Sequence, residues 1–271
     1  MTASGRLGRA FESALGERRG AFVPFLTSGF PDLTESDRLA LALCEEGVDV
    51  LELGVPFSDP IADGPTIQRT TEAALRAGTT LAHVLGQAMR LRARHETPIV
   101  LMTYLNPILS YGITRFAEEA PAAGVDGIIL VDLPPEEEPE LWMGMREHGL
   151  ETIALVAPTT DPSRLPRVVQ GSRGFLYVVA RLGVTGTGAE DTSVESLLSR
   201  CRAWTPIPRC LGFGIGLKTP IERYRGKAEG VVVGSALLEA IAAGRDADAR
   251  ERAARTFARE FRKKLPSLGP G

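Results

Sequence analysis

Histidine is scarce in this chain: His83, His95 and His148 are the whole complement. All three fall in helical patterns or at their ends, away from the apolar runs that read as strands. Neither a histidine ligand set nor a Ser-His-Asp triad is expected from such positions. Zinc-type spacings (HExxH, paired CxxC) are missing too, so no metal is expected. Lysine is almost as rare, with only Lys218, Lys227, Lys263 and Lys264 present. An imine-forming aldolase needs a lysine at its site. Only Lys218, just past the seventh candidate strand, could be stretched to that role, so imine chemistry is disfavoured.

Other absences narrow the class further. No apolar run approaches the ~20 residues of a membrane span. The N-terminus, MTASGRLGRAFESALGERRG, lacks the apolar core of a signal peptide and reads as a short amphipathic helix over residues 1–20. Cys44, Cys201 and Cys210 are odd in number and lack CxxC spacing, which suits buried small hydrophobes in a reducing cytoplasm. A net charge of −3 and a pI near 5.8 give no electrostatic footprint for nucleic acid or an anionic membrane. GFGIG (212–216) lacks the GxGxxG spacing and opens no βαβ nucleotide unit, so a dinucleotide cofactor is not expected. The expectation is a soluble, cytoplasmic protein.

What is present is a regular alternation. Short apolar runs occur at 21–26, 48–53, 99–104, 127–132, 152–157, 175–180, 209–214 and 230–235. Most are apolar on both faces, as strands of a parallel sheet covered by helices must be. Helical patterns lie between them, among them 35–46, 81–94, 135–148 and 193–203. About eight alternations in ~250 residues predict a (β/α)8 TIM barrel rather than an open doubly wound sheet. No linker divides the chain, so a single domain is expected over 1–271, with a disordered tail at 266–271. In the last helix, 248–265, Ala254, Phe257, Ala258, Phe261 and Leu265 recur at helical spacing and are expected to pack on the barrel.

Active sites of such barrels lie at the C-terminal ends of the strands, which directs attention to LELGVPFSDPIADGPTIQ (51–68). Alternation places Val48, Val50 and Glu52 on one face of the second strand. If that face lines the barrel, Glu52 points into its mouth. Burial would disfavour its charged form and raise its pKa, as suits a general acid or base. Asp63, in the loop that follows, is expected to remain more solvated and ionised. Two carboxylates in unlike surroundings are a common acid–base arrangement. The plainer alternative is that Glu52 pairs with a buried arginine and Asp63 shapes a turn. Asp59, in FSDP, has a turn explanation of its own.

Glycines cluster after the sixth, seventh and eighth strands, in GVTGTG (183–188), GFGIG (212–216) and Gly234-Ser235. Glycine lets backbone N–H groups approach an oxyanion, and a helix N-terminus adds its dipole. In barrels this corner is a recurrent phosphate site. The residues alone therefore describe a barrel enzyme for a small phosphorylated molecule, working by carboxylate acid–base chemistry.

These motifs resemble a known family, the α chain of tryptophan synthase. The likeness runs from FVPFLTSG (22–29) to GVVVGSA (230–236), with LELGVPFSDPIADGPTIQ its most specific part. LMTYLNPIL, ILVDLPPEE, GVTGTG and GFGI follow in order and spacing. The resemblance implies cleavage of indole-3-glycerol phosphate to indole and glyceraldehyde 3-phosphate, with no cofactor in this subunit. Indole would then pass to a β subunit, carrying pyridoxal phosphate, in an α2β2 heterotetramer. It further implies that Glu52 is the catalytic glutamate and that Asp63 hydrogen-bonds the indole N–H. Tyr177, Thr185 and Tyr104 would bind or support substrate, and Gly186, Gly214, Gly234 and Ser235 would cradle the phosphate. Pro56 and Asp59 would lie in the loop that faces the partner. After GVTG the chain departs from many members in reading TGAEDT, which bears on loop closure over substrate. A stand-alone indole-producing lyase and a non-catalytic activator of a β chain are the competing readings.

Overall fold

The computed structural model describes residues 5–180, 189–212, 214–219 and 221–265. Nine parallel strands are formed: β1 (Ala21–Thr27), β2 (Leu51–Gly54), β3 (Ile99–Thr103), β4 (Gly127–Leu130), β5 (Glu151–Ile153), β6 (Leu155–Val156), β7 (Leu176–Val179), β8 (Arg209–Gly212) and β9 (Gly230–Val233). Their order is β5-β4-β3-β2-β1-β9-β8-β7-β6. The fifth apolar run is thus two short strands separated at Ala154. One half pairs with β4 (Ile129 beside Ile153) and the other with β7 (Leu155 beside Tyr177). The carbonyl of Ala154 accepts the N–H of Tyr177 at 2.9 Å. The ring therefore closes, and the fold is the expected (β/α)8 barrel.

Eleven α-helices are present among the described residues: α1 (Gly5–Gly16), α2 (Leu33–Glu45), α3 (Pro65–Arg76), α4 (Leu81–Arg92), α5 (Leu105–Tyr111), α6 (Ile113–Ala122), α7 (Pro139–Glu147), α8 (Leu165–Gln170), α9 (Ala189–Trp204), α10 (Ser235–Ala242) and α11 (Ala247–Lys264). Their starts carry local signals. Asp32 caps α2 by accepting the N–H of Glu35, and Thr80 caps α4 in a box with His83. Pro65 and Pro139 open α3 and α7, where a missing N–H does no harm. Because Pro139 disfavours the α conformation at Glu138, α7 begins there and not at Pro135 as the apolar pattern suggested. In the other direction, α9 begins at Ala189, ahead of the expected start at 193.

Phe22, on β1, stacks on Phe261 of α11 with ring centroids 4.9 Å apart, so Phe22 faces outward and Phe25 faces the barrel interior. Ala254, Phe257, Ala258, Phe261 and Leu265 are all buried, as their spacing predicted. Helix α1 closes one end of the barrel. Its Leu7 fills space left by Gly127 and Gly174, and its Phe11 lies against Gly230 and 5.6 Å from the Phe175 ring. On the outside, Arg255 of α11 is bound by Glu45, Glu46 and Glu251, fastening α11 to α2. The three cysteines are free and buried. Among the described residues no helix is long and apolar enough to cross a membrane. The tail at 266–271 and residues 1–4 lie outside the described residues.

Candidate active site

Glu52 is 0% exposed, near the end of β2, beside Phe25 of β1 and Val100 of β3. Neither of its carboxylate oxygens has a hydrogen-bond partner among the described residues. Burial alone pushes this carboxyl up to about 8. No arginine among the described residues pairs with it, so the buried-pair alternative is not seen there. Burial thus favours the protonated form of Glu52 at neutral pH.

Tyr177 is the adjacent polar group. Its ring lies so close over Gly212 that a Cβ there would come within 2.4 Å, and only glycine leaves that room. The hydroxyl is held protonated first by burial and then by the nearby carboxyl of Glu52. Cys210, its register neighbour on β8, is buried in the same interior.

Asp63 lies in the loop between β2 and α3, in the cleft lined by Phe25. That loop is internally braced: Asp63 donates its N–H to Pro60, and its carbonyl accepts from Gln68 at 2.9 Å. The Tyr104 hydroxyl accepts the N–H of Ala62 at 3.1 Å and also hydrogen-bonds the Asp63 carboxyl. Asp63 is more solvated than Glu52, as expected, but still substantially enclosed. Asp63 is only partly accessible, and burial pushes it up to about 6 against the opposing effect of Tyr104. The cause is the packing at the cleft it borders, walled by Phe25, Met102, Tyr104, Ile67 and Thr71. The two carboxyls still differ, Glu52 being the weaker acid.

Beside them, two strands along the barrel, is the glycine corner. Helix α10 opens at Gly234-Ser235 without any side-chain cap, and its first amide bonded within the helix is that of Leu238. Its leading N–H groups are therefore open to an anion. Gly214 has φ +76°, a left-handed turn that suits glycine. The loop it begins packs against α10, where a Cβ on Gly216 would meet that of Ala236 at 3.0 Å. Thr185 and Gly186 lie outside the described residues.

Of the two residues assigned to a partner-facing loop, Asp59 is exposed and accepts from the Ser58 hydroxyl at 2.6 Å, while Pro56 is buried and shapes the loop from within. The exposed apolar residue of this loop is Ile61, 85% accessible. Sequence reasoning missed Phe25, Thr66 and Thr71. Phe25 is an ordinary apolar strand residue until the glycines beside its ring, Gly54 and Gly234, are known. His83 serves as a helix cap, and no group of three metal-ligating side chains occurs among the described residues.

A parallel barrel bearing one carboxyl on a strand end, another in the next loop and an uncapped helix N-terminus nearby is the architecture of a barrel enzyme. Comparison with known proteins makes this specific. The family model for the tryptophan synthase alpha chain matches residues 11–266, and the chain belongs to that family. It is 47% identical over 235 residues to the tryptophan synthase alpha chain of Geobacter sulfurreducens, covering 86% of this chain and 89% of that one. The counterpart from Solibacter usitatus is 43% identical, covering 95% and 97%. Among solved structures, the tryptophan synthase alpha chain of Legionella pneumophila superposes with a TM-score of 0.87 at 34% identity, covering 99% of this chain and 100% of that one. Tryptophan synthase from M. tuberculosis in its aminoacrylate-bound form gives 0.83 at 36% identity, covering 95% and 99%. The chain is a lyase of tryptophan biosynthesis.

Proposed function

We propose that this chain cleaves indole-3-glycerol phosphate by a retro-aldol reaction, without a cofactor of its own, with Glu52 and Asp63 as the catalytic residues. The observation that carries this reading is the pair of unlike carboxyls, Glu52 at about 8 with no partner and Asp63 at about 6 beside Tyr104. The bond between indole C3 and the glycerol chain breaks once C3 is tetrahedral. Glu52, neutral at physiological pH, delivers its proton to C3. The ring then carries positive charge, which the Asp63 carboxylate stabilises at the indole N–H. The Glu52 carboxylate next removes the proton of the glycerol hydroxyl on the breaking bond. The C3–C electron pair returns to the ring, indole and the aldehyde separate, and Glu52 is again protonated. Tyr177 walls the site beside Glu52. Gly214, Gly234 and Ser235 hold the phosphate with backbone N–H groups and the α10 dipole.

An alpha chain implies a β chain. We propose that it docks on the mouth-side loop, where Asp59 and Ile61 are exposed, in a cytoplasmic α2β2 assembly with pyridoxal phosphate in the β chain. The test is indole release from indole-3-glycerol phosphate by the purified chain, with and without a tryptophan synthase β subunit, beside Glu52→Gln. Strong stimulation by β, lost in Glu52→Gln, is the expected result. High activity without β would favour a stand-alone lyase. No indole under either condition would sink the catalytic reading.

A further inference from the structure

The mouth of this barrel must grip two ends of one substrate, and the elements that do so are far apart in sequence. Asp63 precedes Gly64, the N-cap of α3, whereas the proposed phosphate corner is the start of α10. The structure ties these two helices together by a side-chain chain that belongs to neither grip. Thr66, three residues after Asp63 and 8% exposed, donates its hydroxyl to Oε1 of Glu239 at 2.8 Å. Arg69 donates to the same Thr66 oxygen at 3.1 Å. Glu239 stands one helical turn beyond Ser235 on α10.

Glu239 is exposed and Thr66 buried, so the contact runs from the outer face of α10 to the inner face of α3. The Gln68 amide holds the Asp63 carbonyl, so the first turn of α3 and the Asp63 loop move as one piece. Farther along α3, Thr70 hydrogen-bonds Thr27 at the end of β1 at 2.8 Å, both side chains buried. Thus α3, packed on the core through Ile67 and Ala74, is hydrogen-bonded to the barrel wall at Thr70 and to α10 at Thr66. Removing the second bond lets the first turn of α3 pivot slightly about Thr70. A pivot of that kind displaces Asp63 relative to the substrate, and misplacement of a charge-stabilising group is expensive in rate.

We propose that Glu239 and Thr66 form a positioning latch that sets the Asp63 loop by reference to the phosphate-binding helix. The latch rests on the reaction and phosphate site proposed above. It acts through Asp63 and α10, touching substrate at neither end. Anion binding orders the first turn of α10, Glu239 transmits that order to Thr66, and the loop from Asp59 to Asp63 tightens. Loss of the phosphate group from the substrate would therefore loosen the grip at the indole end as well.

Steady-state indole release by the full chain with a tryptophan synthase β subunit tests the latch, using Glu239→Ala, Thr66→Val, the double variant and Glu239→Gln. Each single variant is expected to lower kcat about fivefold, the worth of one hydrogen bond, with KM changed far less. The double variant should be no slower than either single one. Glu239→Gln keeps a carbonyl that accepts from Thr66 and should restore most of the rate. Losses that multiply in the double variant, or wild-type kcat in the single ones, overturn the latch. A second arm needs no reaction: inorganic phosphate should slow amide hydrogen exchange across residues 59–70 in the wild type but not in Glu239→Ala. Equal slowing in both, or none in the wild type, overturns it. A wild type that makes no indole defeats the proposed function, and the exchange arm still decides the latch.

Discussion

Phe25 and Glu52 are direct partners across the parallel strands β1 and β2, both turned into the barrel. The Phe25 ring fills the places where Gly54 and Gly234 have no side chains, so one aromatic joins the strand of Glu52 to the glycine corner. Its contacts leave Glu52 in an apolar enclosure, which is what keeps its carboxyl neutral.

Adding a methyl at Gly54 should damage this enclosure. In Gly54→Ala the new Cβ would stand 2.4 Å from Cζ of Phe25, so the ring must move into the cleft. Overpacking of this kind costs about 1–3 kcal/mol. Thermal unfolding should show Gly54→Ala melting several degrees lower, with part of the loss recovered in Gly54→Ala with Phe25→Leu. An unchanged melting temperature, or no recovery in the double variant, would contradict the packing described.

The dependence of kcat/KM on pH should be a bell. Asp63 must be ionised, which places the acid limb near its value of about 6, and Glu52 must be protonated, which places the alkaline limb near about 8. Tyr104 hydrogen-bonds Asp63 and opposes the rise caused by burial. Tyr104→Phe should therefore move the acid limb to higher pH and leave the alkaline limb in place. A shift of the alkaline limb instead would reassign the two groups.

Stability should carry the signature of Glu52 as well. A buried acid whose folded-state value lies near 8, well above the ordinary carboxylate value of 4.5, binds its proton more tightly folded than unfolded. Its effect on stability is thus most favourable at low pH and fades as pH rises from about 4.5 to about 8. Glu52→Gln cannot ionise and lacks this loss. Chemical denaturation of both proteins should show the variant gaining on the wild type across that interval. A difference independent of pH would mean that Glu52 is not buried as described.

Much of this was legible in the residues, for reasons that differ from place to place. Strands buried on both faces need continuous apolar runs, so all eight barrel positions were visible. The break at Ala154 was not, because nothing local marks where a strand changes neighbours. Helix α3 escaped notice: its inner face is made of Thr66, Ile67, Thr70 and Thr71, which lack a strong apolar stripe. The position of Glu52 followed from alternation and barrel topology. The partial burial of Asp63 did not, since its walls come from β1, α3, β3 and the residue after β3.

The amino-acid sequence by itself determined the barrel, the end at which chemistry would occur and the two acids placed there, since periodicity and loop position are local properties. The tertiary structure alone decided how strongly each carboxyl holds its proton, because desolvation depends on every element packed around the group. It also decided the ties that hold the mouth together. Phe25 meets Gly234 and Thr66 meets Glu239 only when the ends of the chain are brought side by side. Contacts between residues so distant in sequence have no local pattern, and folding alone creates them.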